Sequence, residues 1–207
     1  MSVMSIGKTA YPDRPLTVED LERMPDDGRR YELADGRLDV SPAPGSLHTI
    51  AEYRLVHHLG MVAPSDFLVV GPVGIDFNAE KTHHRIPDGA VFHGKDFEKP
   101  RFTKPPLLAI EVLSPESVLR DTNTKRQEYA AFGIESYWMV NPAEENPAVY
   151  ELRLEGGAYR EAAQVFGTDL FSTDAPFPVS LVPYWLIGMD GDWREHIGGP
   201  GGEPRQD

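Results

Sequence analysis

Cysteine is absent from the 207 residues, which excludes disulfide frameworks, thiolate zinc sites and cysteine nucleophiles. Long apolar runs are missing as well. No stretch approaches the ~18 residues that span a bilayer, and Met1–Ala10 lacks the extended apolar segment of a secretory signal. These two absences predict a cytoplasmic protein with no membrane partner. Positive charge is scarce: 20 Lys and Arg stand against 33 Asp and Glu, a formal net charge of −13 with histidine neutral. A nucleic-acid binder usually carries a basic surface, so the global balance speaks against one. No GxxxxGK[ST], HExxH or GxSxG pattern occurs either, which removes the usual nucleotide-binding, zinc-protease and serine-hydrolase signatures.

The charge that is present is unevenly placed. Lys81, His83, His84 and Arg85 precede Asp88; Lys95, Lys99, Arg101 and Lys104 precede Glu111; Arg120, Lys125 and Arg126 follow it. Much of the acid lies elsewhere, in Glu19–Asp27 and Glu144–Glu161, which allows a locally basic cleft on an acidic body. Glycine and proline, at 19 each, favour a loop-rich α/β chain over a helical bundle.

The order of elements follows from periodicity and turn chemistry. Residues 1–15 read as a flexible arm, 16–190 as one domain, and 191–207 as a flexible Gly/Pro-rich tail. Thr17 and Asp20 stand in capping-box spacing for a short helix. Residues 31–40 read as two strands about Asp35-Gly36. Leu47, Ile50, Ala51, Leu55, Leu59 and Val62 recur at helical intervals, which predicts a helix over about 46–62. Strands are predicted over 67–77, 85–93, 107–113, 136–140 and 148–154, with a polar turn at 78–84 that holds His83 and His84. A second helix lies between Ser117 and Phe132 and stops at Gly133. Residues 176–187 form a last strand or docking segment.

Two acidic residues stand inside apolar runs: Asp88 in Ile86-Pro87-Asp88 and Glu111 in Ile110-Glu111-Val112. Desolvating a carboxylate costs several kcal/mol (roughly, per ion) unless a cation or hydrogen-bond donor compensates. A divalent metal is one such cation. If the two strands are neighbours, both carboxylates can converge on one Mg²⁺-sized ion, which prefers hard oxygen ligands. Such an ion acidifies a bound water and neutralises phosphoryl charge, and a lysine beside that water can orient it or help remove its proton. Each residue also has a plainer reading. Asp88 can bond backbone N–H groups at a strand end, Lys125 can pair with Asp121 at i,i+4 on a solvated face, and His48 can sit in a helix first turn. Tyr129 and Tyr137-Trp138 read as core.

Several motifs, in order, resemble the Uma family of restriction endonucleases within the PD-(D/E)XK nuclease superfamily. They are Tyr31-Glu32-Leu33 with Asp35-Gly36, Ser41-Pro42 with His48, Pro87-Asp88, Glu111-Val112-Leu113-Ser114-Pro115, Asp121 with Lys125 and Tyr129, and Gly133 to Pro142. The resemblance implies an α/β fold: a restriction-endonuclease-like core with a mixed β-sheet flanked by α-helices. It also implies Asp88 and Glu111 as ligands of Mg²⁺ or Mn²⁺, with the Val112 backbone carbonyl as a third, and Glu32 as an accessory acid. His48 and Asp121 are expected to line the cleft. Leu113 departs from the pattern, which places a lysine two residues after the acid; the family supplies it from the following helix, here Lys125. Asn141 stands where an aspartate is usual. The expected function is Mg²⁺-dependent hydrolysis of DNA phosphodiester bonds by a homodimer. The competing readings are an inactive nuclease-like module that binds nucleic acid or protein, and a structural homodimer joined through an edge strand at 148–154.

Overall fold

The computed structural model describes residues 13–200. Its chain begins with a one-turn helix, α1 (Val18–Leu21), closed by the Thr17/Asp20 capping box. A hairpin follows, β1 (Arg30–Ala34) and β2 (Arg37–Ser41), turned through Asp35 and Gly36. Both turn residues have positive φ, 50° and 77°, the backbone of a two-residue hairpin turn. Glycine is required at 36 for a second reason: a Cβ there would overlap Pro15.

Helix α2 (Ser46–Val62) keeps the bounds its periodicity predicts and buries Ala51, Leu55 and Leu59. The strands β3 (Phe67–Val70), β4 (Ile75–Asp76), β5 (His84–Arg85), β6 (Gly89–His93) and β7 (Leu108–Val112) come next. A π-helical turn over Arg120–Lys125 runs into α3 (Arg126–Phe132). Gly133 ends it at φ 93°, with its own N–H and that of Ile134 bonded to Tyr129 O. Then follow β8 (Ser136–Asn141), β9 (Ala148–Glu155), β10 (Ala158–Phe166), β11 (Phe171–Thr173), β12 (Val179–Leu181) and the short helix α4 (Trp193–His196).

Six strands form the central sheet in the order β10-β9-β8-β7-β6-β3. Only β7 and β8 are parallel, joined by the crossover through α3; the other pairs are antiparallel, so the sheet is mixed. A second, four-stranded sheet has the order β2-β1-β5-β4. Side chains alternate along β7. Leu108, Ile110 and Val112 face α2 and the main core with Trp138 and Val140, while Ala109 faces α3 with Tyr129 and Tyr137. Glu111 shares the α3 face, which is why residues of that helix can reach it.

Three expectations are corrected. His84 is buried in β5, bonded through Nδ1 to Asp76 at 2.6 Å, because a short strand crosses the segment read as a turn. Strand β9 pairs with β8 and β10, so no free edge exists at 148–154. The segment from 191 is no loose tail: α4 buries Trp193 and Ile197, an i,i+4 apolar pair, in the main core. The arm and tail expectations at 1–12 and 201–207 lie outside the described residues. Among the described residues no helix is long and apolar enough to cross a membrane.

One core group carries a pH dependence. His58, on the buried side of α2, donates from Nε2 to Ser180 O at 2.7 Å as a neutral ring. Burial lowers its pKa below the ordinary 6.5, and nearby His57 adds to this. The unfolded chain therefore takes up a proton near pH 6.5 that the folded ring resists, so this contribution to stability is lost as pH falls from there. The Tm advantage of the parent over His58→Gln should shrink between pH 7.5 and 5.5; a constant difference would refute it.

Candidate metal and active site

The residues singled out in the sequence come together. Glu32, His48, Asp88, Glu111, Val112, Asp121 and Lys125 all line one cavity of about 120 Å³. Five segments deliver them. Asp88 precedes β6 and Glu111 and Val112 end β7, and Gly89 pairs with Ile110 in the sheet, which sets the two acids side by side. Glu32 comes from β1, His48 from the first turn of α2, and Asp121 and Lys125 from the π turn. A four-residue step overshoots one α-helical turn and undershoots one π turn. The π segment followed by α3 thus holds Asp121, Lys125 and Tyr129 in one buried line.

Lys125 is the hub. Its Nζ lies 2.8 Å from Glu111 Oε1, 3.5 Å from Glu32 and 3.6 Å from Asp121, with the side chain almost wholly buried. Burial works against its charge, but Glu111, Glu32 and Asp121 hold the ammonium well above the usual lysine range. The solvated i,i+4 pair of the plainer reading is therefore not what forms. Tyr129 donates its hydroxyl to Glu111 at 2.5 Å. Burial pushes the Glu111 carboxyl up to about 8; Lys125 opposes this, and Asp121, Asp88 and Glu32 reinforce it. Glu32 goes the other way. Burial raises it, but Lys125, Arg85 and the Ile86 N–H, which donates at 2.8 Å, prevail and keep it ionised.

Asp88 has a separate set of partners. The Val112 N–H donates to Oδ2 at 2.7 Å, and Arg30 reaches Oδ1 at 2.5 Å. His48 Nε2 stands 3.3 Å from Oδ1 and 3.6 Å from Glu52, without hydrogen-bond geometry to either. Burial raises the Asp88 carboxyl, but His48 and Arg30 outweigh it and hold it at about 2. The same contacts, against burial, raise His48 to about 9.

The donor set fits a hard divalent cation. Among the described residues neither buried Asp121 carboxylate oxygen has a hydrogen-bond donor, and the surroundings of Glu111 disfavour the ionised form that a bound cation would favour. His48, Glu52 and Asp88 also form a triad whose ligand atoms lie within 4.8 Å of one another. Glu52, Arg30 and the Tyr129 hydroxyl were not singled out as site groups in the sequence. His48 and Glu52 are one helical turn apart and Arg30 and Glu32 share a strand face, so spacing did carry a signal for both.

A family model, Uma2, described as "Putative restriction endonuclease", matches residues 18–184. The chain belongs to the Uma2 family. The Uma2 match covers every site residue named above. Among solved structures, a protein of Anabaena variabilis titled a "putative nuclease belonging to DUF820" is 19% identical, with a TM-score of 0.59 over 77% of this chain and 89% of that one. At that identity the likeness speaks for the fold, a nuclease-like mixed sheet with flanking helices. No curated protein sequence matches the chain.

Proposed function

We propose that this Uma2 protein is a divalent-metal-dependent nuclease that hydrolyses DNA phosphodiester bonds, with Mg²⁺ as the metal and Mn²⁺ as a substitute. The observation that carries the reading is the convergence of Glu32, Asp88, Glu111 and Asp121 with Lys125 in a single cavity. Asp88, Glu111 and the Val112 carbonyl would hold the ion. Once bound, it would acidify a water and neutralise charge on the phosphoryl group.

The chain's own groups define the rest. Lys125 is held as an ammonium, so it acts as a fixed positive charge that orients the attacking water and offsets developing negative charge, rather than as the base. Glu32 and Asp121 fix that ammonium from two further sides. Tyr129 orients the Glu111 carboxyl. His48 and Arg30 bring two cations to the cavity wall beside Asp88, which suits an anionic substrate on a protein whose overall charge is −13.

A second reading, an inactive binding module, draws support from the same cations. Arg30 and the Val112 N–H already engage both Asp88 oxygens with no metal required. Cleavage separates the two. The nuclease reading expects a labelled DNA strand or a supercoiled plasmid to be cut with Mg²⁺ or Mn²⁺ and left intact in EDTA. Metal-independent binding without turnover would overturn it in favour of the module.

A further inference from the structure

A groove of about 1100 Å³ opens directly beside the carboxylate cavity. The two share Pro42, Ala43, Gly45, His48, Ser114 and Glu116 as a common wall. Beyond that wall the character changes. Leu47, Leu113, Val118, Met139 and Tyr150 form an apolar lining, and among the described residues no lysine or arginine lines it. Glu116 is the only carboxylate that the described residues place there. The far wall is fixed in place: the Tyr150 ring packs edge-on against Phe166, centroids 6.0 Å apart, and Asn141 Oδ1 accepts from the Ala143 N–H at 3.2 Å.

A sugar-phosphate chain does not suit this groove, because beyond the shared wall, where His48 stands, its lining among the described residues offers an anion no cation. A flat, neutral, partly apolar group does. With a phosphodiester at the adjoining carboxylates, the part of the substrate that continues into the groove is a nucleobase. Bases in a duplex are stacked and paired, and cannot enter. We infer that the groove is a nucleobase subsite that takes an unpaired nucleotide next to the reacting phosphate, with Tyr150 as its stacking surface, so that the substrate is single-stranded nucleic acid or a strand with an extruded base. The inference rests on the nuclease reading for the position of the phosphate, and on the groove's chemistry for the rest.

Stacking of a base on an aromatic side chain is sequence-tolerant and contributes enough that its loss is read as a fold-change of about 10 or more. The test uses the full chain and a DNA 12-mer carrying 2-aminopurine, as a single strand and as a duplex, in EDTA so that turnover does not interfere. The single strand is expected to bind at least ~10-fold more tightly than the duplex, with a change in 2-aminopurine fluorescence. Tyr150→Ala, which removes the stacking surface at some cost in stability because the ring packs on the core, and Ala143→Trp, which fills the groove, should each lose at least ~10-fold of that binding while remaining cooperatively folded at the assay temperature. Should one variant misfold, the other decides. Equal binding of strand and duplex, or parent-like binding by the folded variants, would overturn the subsite.

Cleavage assays keep the two ideas apart. Probe binding that needs the groove, in a protein that never cuts DNA, would retain the subsite and sink the nuclease. Metal-dependent cutting that neither variant alters would do the reverse.

Discussion

Glu111→Gln should reduce metal-dependent DNA cleavage by at least ~100-fold while leaving the fold as stable as the parent. The two halves of that expectation have one cause. Glu111 is wholly buried, and burial together with Asp121, Asp88 and Glu32 pushes its carboxyl up to about 8, so the ionised form is the costly one. A neutral amide of the same shape removes that cost, and its oxygen can still accept from Lys125 and the Tyr129 hydroxyl. The negative oxygen that an ion requires is gone. The melting temperature should stay within ~2 °C of the parent or rise. A variant that cuts DNA as the parent does would remove Glu111 from the metal site. One that unfolds would mean the carboxylate serves the fold.

Arg85→Met has the opposite profile, a large loss of stability. The Arg85 guanidinium is fully buried and holds Glu128 through a two-pronged contact, both bonds 2.7 Å, with Asp39 at 2.8 Å and Glu32 at 3.9 Å. Glu128 is drawn down to about 2, against burial, by His83 and Arg85. Removing one member of a buried ion pair leaves the others uncompensated and costs about 3–5 kcal/mol. For a chain of this size that lowers the melting temperature by roughly 6–20 °C. Arg85→Lys keeps the charge and loses the fork, so it should fall between parent and Arg85→Met. A cost below ~1 kcal/mol for Arg85→Met, measured by urea unfolding, would show that the network relaxes around the gap.

Much of this centre was legible in the residues because a carboxylate in an apolar strand is an anomaly that needs a partner. Glu111 in Ile-Glu-Val announced itself, whereas Lys125 was indicated by the family resemblance, its spacing from Asp121 alone being equally that of a solvated pair. The bounds of α2 and the Asp-Gly hairpin were legible from periodicity and turn chemistry alone. Other features depend on tertiary contacts that local pattern does not carry. Arg30 meets Asp88 across 58 residues of chain. Tyr129 packs in the core as its type suggests, yet its hydroxyl is spent on Glu111. Strand β10 escaped because Glu161-Ala162-Ala163-Gln164 breaks two-residue alternation, and the register shifts there between Glu161 and Ala163. The Trp193/Ile197 pair was masked by the glycines and the proline beyond it.

The most direct test of the central claim is a calorimetric titration of Mn²⁺ and Mg²⁺ into the parent and into Glu111→Gln. The account predicts saturable binding by the parent that disappears in the variant. Binding of equal strength in both proteins would contradict it, since the ion would then sit away from the acid that the fold has buried at the end of β7.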